Sequence, residues 1–127
     1  MIKGIHHIAI ICSDYERAKR FYHEQLSLPI IAEHYRADRN SWKLDLRVNA
    51  NEAIELFSFE NAPDRPSHPE AKGLRHLCFG VENVATAVSN LGSKGIVFEP
   101  IRTDEFTGKK FVFFSDPDGL PIELYEL

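Results

Sequence analysis

An α+β fold made of two tandem βαβββ modules is predicted for this 127-residue chain by three observations. The first is an internal repeat: Gly4, Ile5, His6, His7, Ile8, Ala9, Ile10 is echoed by Gly73, Leu74, Arg75, His76, Leu77, Cys78, Phe79, and Ile54-Glu55-Leu56 by Ile122-Glu123-Leu124. A shift of 69 superposes the glycines and histidines and a shift of 68 the glutamates, so one insertion separates the two registers. The second is that each half opens with a strand-like run and passes through a cap residue into a helical pattern. The third is that each half then continues in short runs rich in β-branched and aromatic residues.

In module one, about 1–60, residues 5–12 form a β-branched, apolar run read as a strand buried on both faces. Asp14 caps a helix in which Ala18, Phe21, Tyr22 and Leu26 recur at helical spacing, and Pro29 bars its extension. Strands follow around 30–36, 42–48 and 53–59. Residues 61–72 hold Pro63, Pro66 and Pro69 and suit a connection. Module two, about 73–127, repeats the order: a strand over 74–81, a helix capped by Asn83 with Val84, Ala87, Val88 and Leu91 on one face, and strands near 96–101, 110–115 and 120–125. Gly92 and Gly95 provide the helix exit, and Asp116-Pro117-Asp118-Gly119 is turn chemistry, since Gly119 can adopt a left-handed backbone. The whole, 1–127, is expected to fold as one domain.

Strand parity sorts side chains between faces. Trp42, Leu44, Leu46 and Val48 form the apolar phase that should meet a helix, which leaves Ser41, Lys43, Asp45 and Arg47 on a concave, polar face. His6 points away from His7 by the same rule and is assigned to packing or a hydrogen bond. Cys78 shares the parity of His76 and is expected to be a small wall residue.

Glu55 and Glu123 each interrupt an apolar strand, where a carboxylate leaving water needs a compensating cation. Taken singly, each is more commonly a solvated or ion-paired strand residue, and a lone strand histidine is more commonly a core one. Four such residues at equivalent places in two modules are not independent accidents. Neutral imidazole and carboxylate are the common donors for a divalent ion, so His7, Glu55, His76 and Glu123 are read as metal ligands. Donor type does not choose among Ni²⁺, Zn²⁺, Co²⁺ and Mn²⁺.

A net charge of -4 without a basic stripe points to a small-molecule ligand, not a nucleic acid. No apolar stretch approaches bilayer length and no basic-then-apolar leader is read, so no membrane partner and a cytoplasmic location are expected. Cys12 and Cys78 are too few for a disulfide framework.

His6-His7-Ile8-Ala9-Ile10 with Asp14 seven residues past His7, Ile54-Glu55-Leu56, Leu74-Arg75-His76-Leu77 and the run from Asp116 to Leu124 resemble the vicinal oxygen chelate superfamily, and bacterial glyoxalase I most closely within it. The resemblance covers nearly the whole chain. It implies an incomplete barrel of paired modules around a metal site, a homodimer whose sites are built from both subunits, and a metal-dependent lyase or isomerase. The reaction so implied is proton transfer through a metal-stabilised enediolate of a hemithioacetal or related α-hydroxycarbonyl compound, with Glu123 as the base and Glu55 assisting. Lys43, Asp45, Arg47, Phe57 and Phe59 are the candidate substrate contacts. Two departures stand out: Ile11 and Phe59 occupy the places where glyoxalase I carries a glutathione-binding arginine and asparagine. Lys72, Lys109 and Lys110 remain as possible anion contacts. The alternatives are a drug- or metabolite-sequestering protein, whose family members commonly lack the donors, and a ring-cleaving dioxygenase, which needs iron.

Overall fold

The computed structural model describes all 127 residues, in two compact units, Met1–Pro63 and Asp64–Leu127. Module one runs β1 (His7–Cys12), α1 (Tyr15–Lys19), β2 (Ile30–Arg36), β3 (Ser41–Arg47) and β4 (Ala53–Ser58). Module two runs β5 (Leu77–Val81), α2 (Val84–Gly92), β6 (Arg102–Thr103), β7 (Lys110–Ser115) and β8 (Pro121–Glu126). The α+β class and the repeated βαβββ order are as the sequence predicts.

Each module is an open four-stranded mixed sheet of one topology, ordered β1-β4-β3-β2 in the first and β5-β8-β7-β6 in the second. In each, the strand preceding the helix pairs parallel with the last strand, and the remaining pairs are antiparallel. That parallel pairing matters for function. It sets the histidine-bearing end of one strand beside the glutamate-bearing strand.

One face of each sheet forms the core. Ile10, Cys12, Leu44, Leu46, Ile54 and Leu56 are buried in module one with Tyr15, Ala18, Phe21 and Tyr22 from the helical segment, and Val112, Phe114, Ile122 and Leu124 with Val84 of α2 in module two. Because β-strand side chains alternate, the residues between them face the other way. Strand β1 therefore buries only Ile10 and Cys12 while His7, Ala9 and Ile11 are exposed, which corrects the expectation of burial on both faces. Its continuous apolar run, suggestive of a central strand, stands at a sheet edge.

Asp14 accepts from the Arg17 amide and Asn83 from the Thr86 amide, so both expected caps form. After Lys19 the helix widens into a π-helical stretch, Arg20–Gln25, closed by Leu26 N donating to Phe21 O at 2.9 Å. The consecutive rings of Phe21 and Tyr22 are both buried, and a wider turn brings both to the sheet. The helical face of α2 is as predicted, with Ala87, Val88 and Leu91 half-buried beside Val84.

The expected strand at 96–101 does not form; Glu99 N donates to Phe113 O at 2.9 Å, but the strand ladder with β7 is confined to Arg102–Thr103. Pro100 denies that segment a ladder donor, and Ile96 alone of it is buried. Ser41 is also not open to the concave face as parity suggested: it is fully buried, and its hydroxyl accepts from Arg36 at 2.8 Å. The 116–119 turn is built on Asp116, whose carboxylate accepts from the amides of Asp118 and Leu120, both at 2.9 Å, with Gly119 at φ 82°.

Candidate metal centre

The core-distal face of each sheet carries one imidazole beside one carboxylate. In module one, Ala9 pairs with Glu55 across the parallel ladder, and His7 lies two residues before Ala9 on the same face. His7 Nδ1 lies 3.6 Å from Glu55 Oε2. In module two the equivalent registers bring Cys78 opposite Glu123 and place His76 Nε2 2.8 Å from Glu123 Oε2. Both glutamate side chains are largely but not wholly covered, with 19% and 12% exposure. Sequence reasoning overstated their withdrawal from water, because their strands are buried on one side only.

The two pairs have different surroundings. Opposite Glu55 in β3 stands Asp45, and opposite Phe57 stands Lys43. Lys43 Nζ lies 2.6 Å from Asp45 and 3.8 Å from Glu55, so Glu55 sits in a chain of charges, His7, Glu55, Lys43, Asp45. In module two the corresponding positions of β7 are Phe113 and Phe111. Phe113 meets the His76 ring edge to face, with centroids 5.1 Å apart. Glu123 thus has His76 as its sole ion-pair partner.

Both pairs have the chemistry of half a divalent-ion site. Two ligands bound at about 2.0–2.2 Å and a right angle to each other lie about 3 Å apart, and the observed 3.6 and 2.8 Å bracket that spacing. Within one chain the structure brings His7 to Glu55 and His76 to Glu123; no group of three or more His, Cys, Asp or Glu side chains gathers to hold an ion. What one chain offers is two separate imidazole–carboxylate pairs.

Of the expected substrate contacts, Lys43, Asp45, Arg47 and Phe57 share the face of Glu55 by register. Lys43 and Asp45 are paired, and Lys43 also lies over the Phe57 ring at 5.8 Å. Phe59 follows β4, its amide donating to Cys12 O, and Arg36 covers both Phe57 and Phe59 at 4.7 and 5.8 Å. Cys78 is not just a wall residue: its thiol bonds Glu123, and partial covering of the sulfur, then the Glu123 charge, push it up to about 11. It stays a protonated thiol at neutral pH.

His6 escapes the parity rule because β1 begins at His7; its Nδ1 lies 2.9 Å from that of His7. Arg36, Phe111 and Phe113 were not singled out from sequence. The Phe111–Phe113 spacing, folded across the 116–119 turn onto Glu123, is the signal that places those rings beside the half-site. On the core side, Tyr15 donates to Glu33 and Lys19 pairs with Glu33 at 2.7 Å. The Lys19 hydrogen bond, then that of Tyr15, holds the Glu33 carboxyl below its ordinary range, while burial and then the Glu33 hydrogen bond push the Tyr15 phenol up.

Paired open βαβββ sheets, each carrying a histidine and a glutamate at repeated positions, define a class of protein. Residues 4–124 match the Glyoxalase/Bleomycin resistance protein/Dioxygenase superfamily, and the chain belongs to it. It is 58% identical over 126 residues to the uncharacterized protein YwkD of Bacillus subtilis (strain 168), covering 99% of this chain and 98% of that one. It is 53% identical over 125 residues to the uncharacterized protein YaeR of Escherichia coli (strain K12), covering 98% and 97%. Among solved structures, a glyoxalase family protein from Enterococcus faecalis matches with a TM-score of 0.91 and 48% identity, over 98% of both chains. No helix is long and apolar enough to cross a membrane.

Proposed function

We propose that the protein is a metal-dependent lyase or isomerase of glyoxalase I type, acting on a hemithioacetal or related α-hydroxycarbonyl compound. The observation that carries this reading is the repeated pair, His7 with Glu55 and His76 with Glu123, at separations that suit ligands of one ion. Each chain supplies half of a donor set twice over, so two chains joined about a two-fold axis can complete two sites. Ile5, Ile11, Leu74, Val97 and Phe106 are 56–89% exposed in the single chain, and a homodimer accounts for part of that apolar surface.

His7 and His76 would hold the ion with Glu55 and Glu123, and the ion when bound supplies Lewis-acid polarisation of a carbonyl. Glu123 takes the proton from the carbon beside that carbonyl and returns it to the neighbouring carbon. It suits this role because its carboxylate has no lysine neighbour, whereas Glu55 is 3.8 Å from Lys43 and is better fitted to hold position. Phe111 and Phe113 shield the Glu123 side of the sheet from water. Retention of all four donors favours chemistry over simple sequestration. Cysteines outside any disulfide suit the reducing cytoplasm, where we place the protein.

Metal analysis of purified protein, followed by assays on methylglyoxal with glutathione and with other thiols, tests the reading. Turnover that requires a divalent ion supports it. Turnover with another thiol in preference to glutathione is expected, since Ile11 and Phe59 cannot hold glutathione's charged ends. Absence of any metal-dependent isomerisation with every thiol rejects it.

A further inference from the structure

Beside His76, module two carries an open pocket of about 480 Å³ whose walls are rich in cations. Arg65, Lys72, Arg75 and Arg102 line it, against two carboxylates, Glu70 and Glu99. In a chain with a net charge of -4, this is a local excess of positive charge. Only one of the four cations has an ion-pair partner: Arg75 meets Glu70 at 3.9 Å, with both side chains mostly in solvent.

Arg65 and Arg102 are held without being neutralised. Arg65 donates its Nε to Ser67 Oγ at 3.2 Å and a terminal nitrogen to Arg75 O at 3.4 Å, both neutral acceptors. Arg102 lies over the rings of Phe111 and Phe113, at 4.8 and 5.5 Å. Phe113 in turn packs on His76. One aromatic ring therefore separates a guanidinium from the imidazole of the half-site. A planar fork oriented by neutral contacts and lacking a counter-charge is arranged to receive an oxyanion.

We propose that Arg65 and Arg102 form an oxyanion subsite that recognises a carboxylate or phosphate group on the substrate, the reacting carbons lying toward His76. This rests on the proposed function for the identity of the reacting group; the subsite itself stands on the charge and geometry of module two. Ile11 and Phe59 offer an anion no charged side chain in module one, whereas Arg65 and Arg102 offer two in the second module. A small α-hydroxycarbonyl compound with its own negative charge is the substrate class that follows.

The test is a two-dimensional NMR titration of the full-length, metal-free protein with inorganic phosphate and, separately, with succinate, at low ionic strength. Shifts are expected at Arg65, Gly73 and Arg102, with affinity weakened about tenfold by Arg65→Gln or Arg102→Gln and unchanged by Arg17→Gln on α1. Arg102→Lys keeps the charge over the phenylalanines and loses the fork, so an intermediate loss is expected even if Arg102→Gln misfolds. Tighter phosphate assigns a phosphorylated substrate, and tighter succinate a carboxylate. Failure of both anions to bind, or wild-type affinity in both Arg65→Gln and Arg102→Lys, overturns the subsite. Weakened self-association in Arg102→Gln without anion binding overturns it too, assigning these cations to a second copy. With no metal present, the result is independent of whether the isomerase reading holds.

Discussion

His76 Nε2 lies 2.8 Å from Glu123 Oε2, while the equivalent pair in the other module, His7 and Glu55, is 3.6 Å apart with Lys43 on the far side of the carboxylate. The same backbone register thus produces two unlike carboxylates. One is set among aromatic rings with a single imidazole partner, and the other is pinned in a row of charges.

In the proposed reaction, this asymmetry assigns the role of base to Glu123. Glu123→Gln keeps the size and a carbonyl donor but cannot accept the substrate proton. Turnover should fall about a thousandfold, in the range of lost general-base catalysis, with the oligomer unchanged by sedimentation. Full activity in that variant rejects the assignment.

Leu44, fully buried under the helical segment of module one, is a core residue with no part in the concave face. Leu44→Ala should destabilise the protein by about 2–5 kcal/mol in urea unfolding. A loss below about 1 kcal/mol would mean that this sheet is not packed as described.

Glu33 gives a pH signature. Its folded-state carboxyl is held below the ordinary value of 4.5 by Lys19 and then Tyr15, so its contribution is present above that value and is lost as pH falls through the depressed one. The partners are partly solvated and the effect is small. Glu33→Gln should cost up to about 1 kcal/mol at pH 7 and become nearly neutral under strongly acidic conditions, measured by urea unfolding at both. A deficit that grows on acidification contradicts the network.

Two glycines should respond differently to alanine. At Gly119, with φ 82°, an added Cβ strains the backbone and should cost about 1 kcal/mol or more. At Gly80 a Cβ would come 2.7 Å from Leu127 Cδ2, the tip of an exposed side chain that can swing aside. Thermal unfolding should show Gly119→Ala clearly below Gly80→Ala; the reverse order would contradict the turn geometry.

Much of the fold was legible because the chain states it twice. The repeat of His7 and Glu55 as His76 and Glu123, the caps Asp14 and Asn83, and the Asp116–Gly119 turn each follow from local chemistry and recur in the fold. What failed was judged from hydrophobicity where pairing decides. Residues 5–12 look central but stand at an edge, and 96–101 look like a strand but include Pro100 and become a strand only beyond it. In the site, residue identity singled out the four members of the two imidazole–carboxylate pairs, but neighbours supplied by another strand were not visible in it. Lys43 reaches Glu55, and Phe113 packs on His76, through registers that no single segment encodes.

The most direct measurement is the number of divalent ions bound per chain, with their affinity, in the wild type and in His7→Ala, Glu55→Ala, His76→Ala and Glu123→Ala. If both pairs serve one ion, the wild type binds about one per chain and each variant loses more than about tenfold in affinity. Wild-type binding in any one of the four would show that its side chain is not a ligand and that the two pairs do not share an ion.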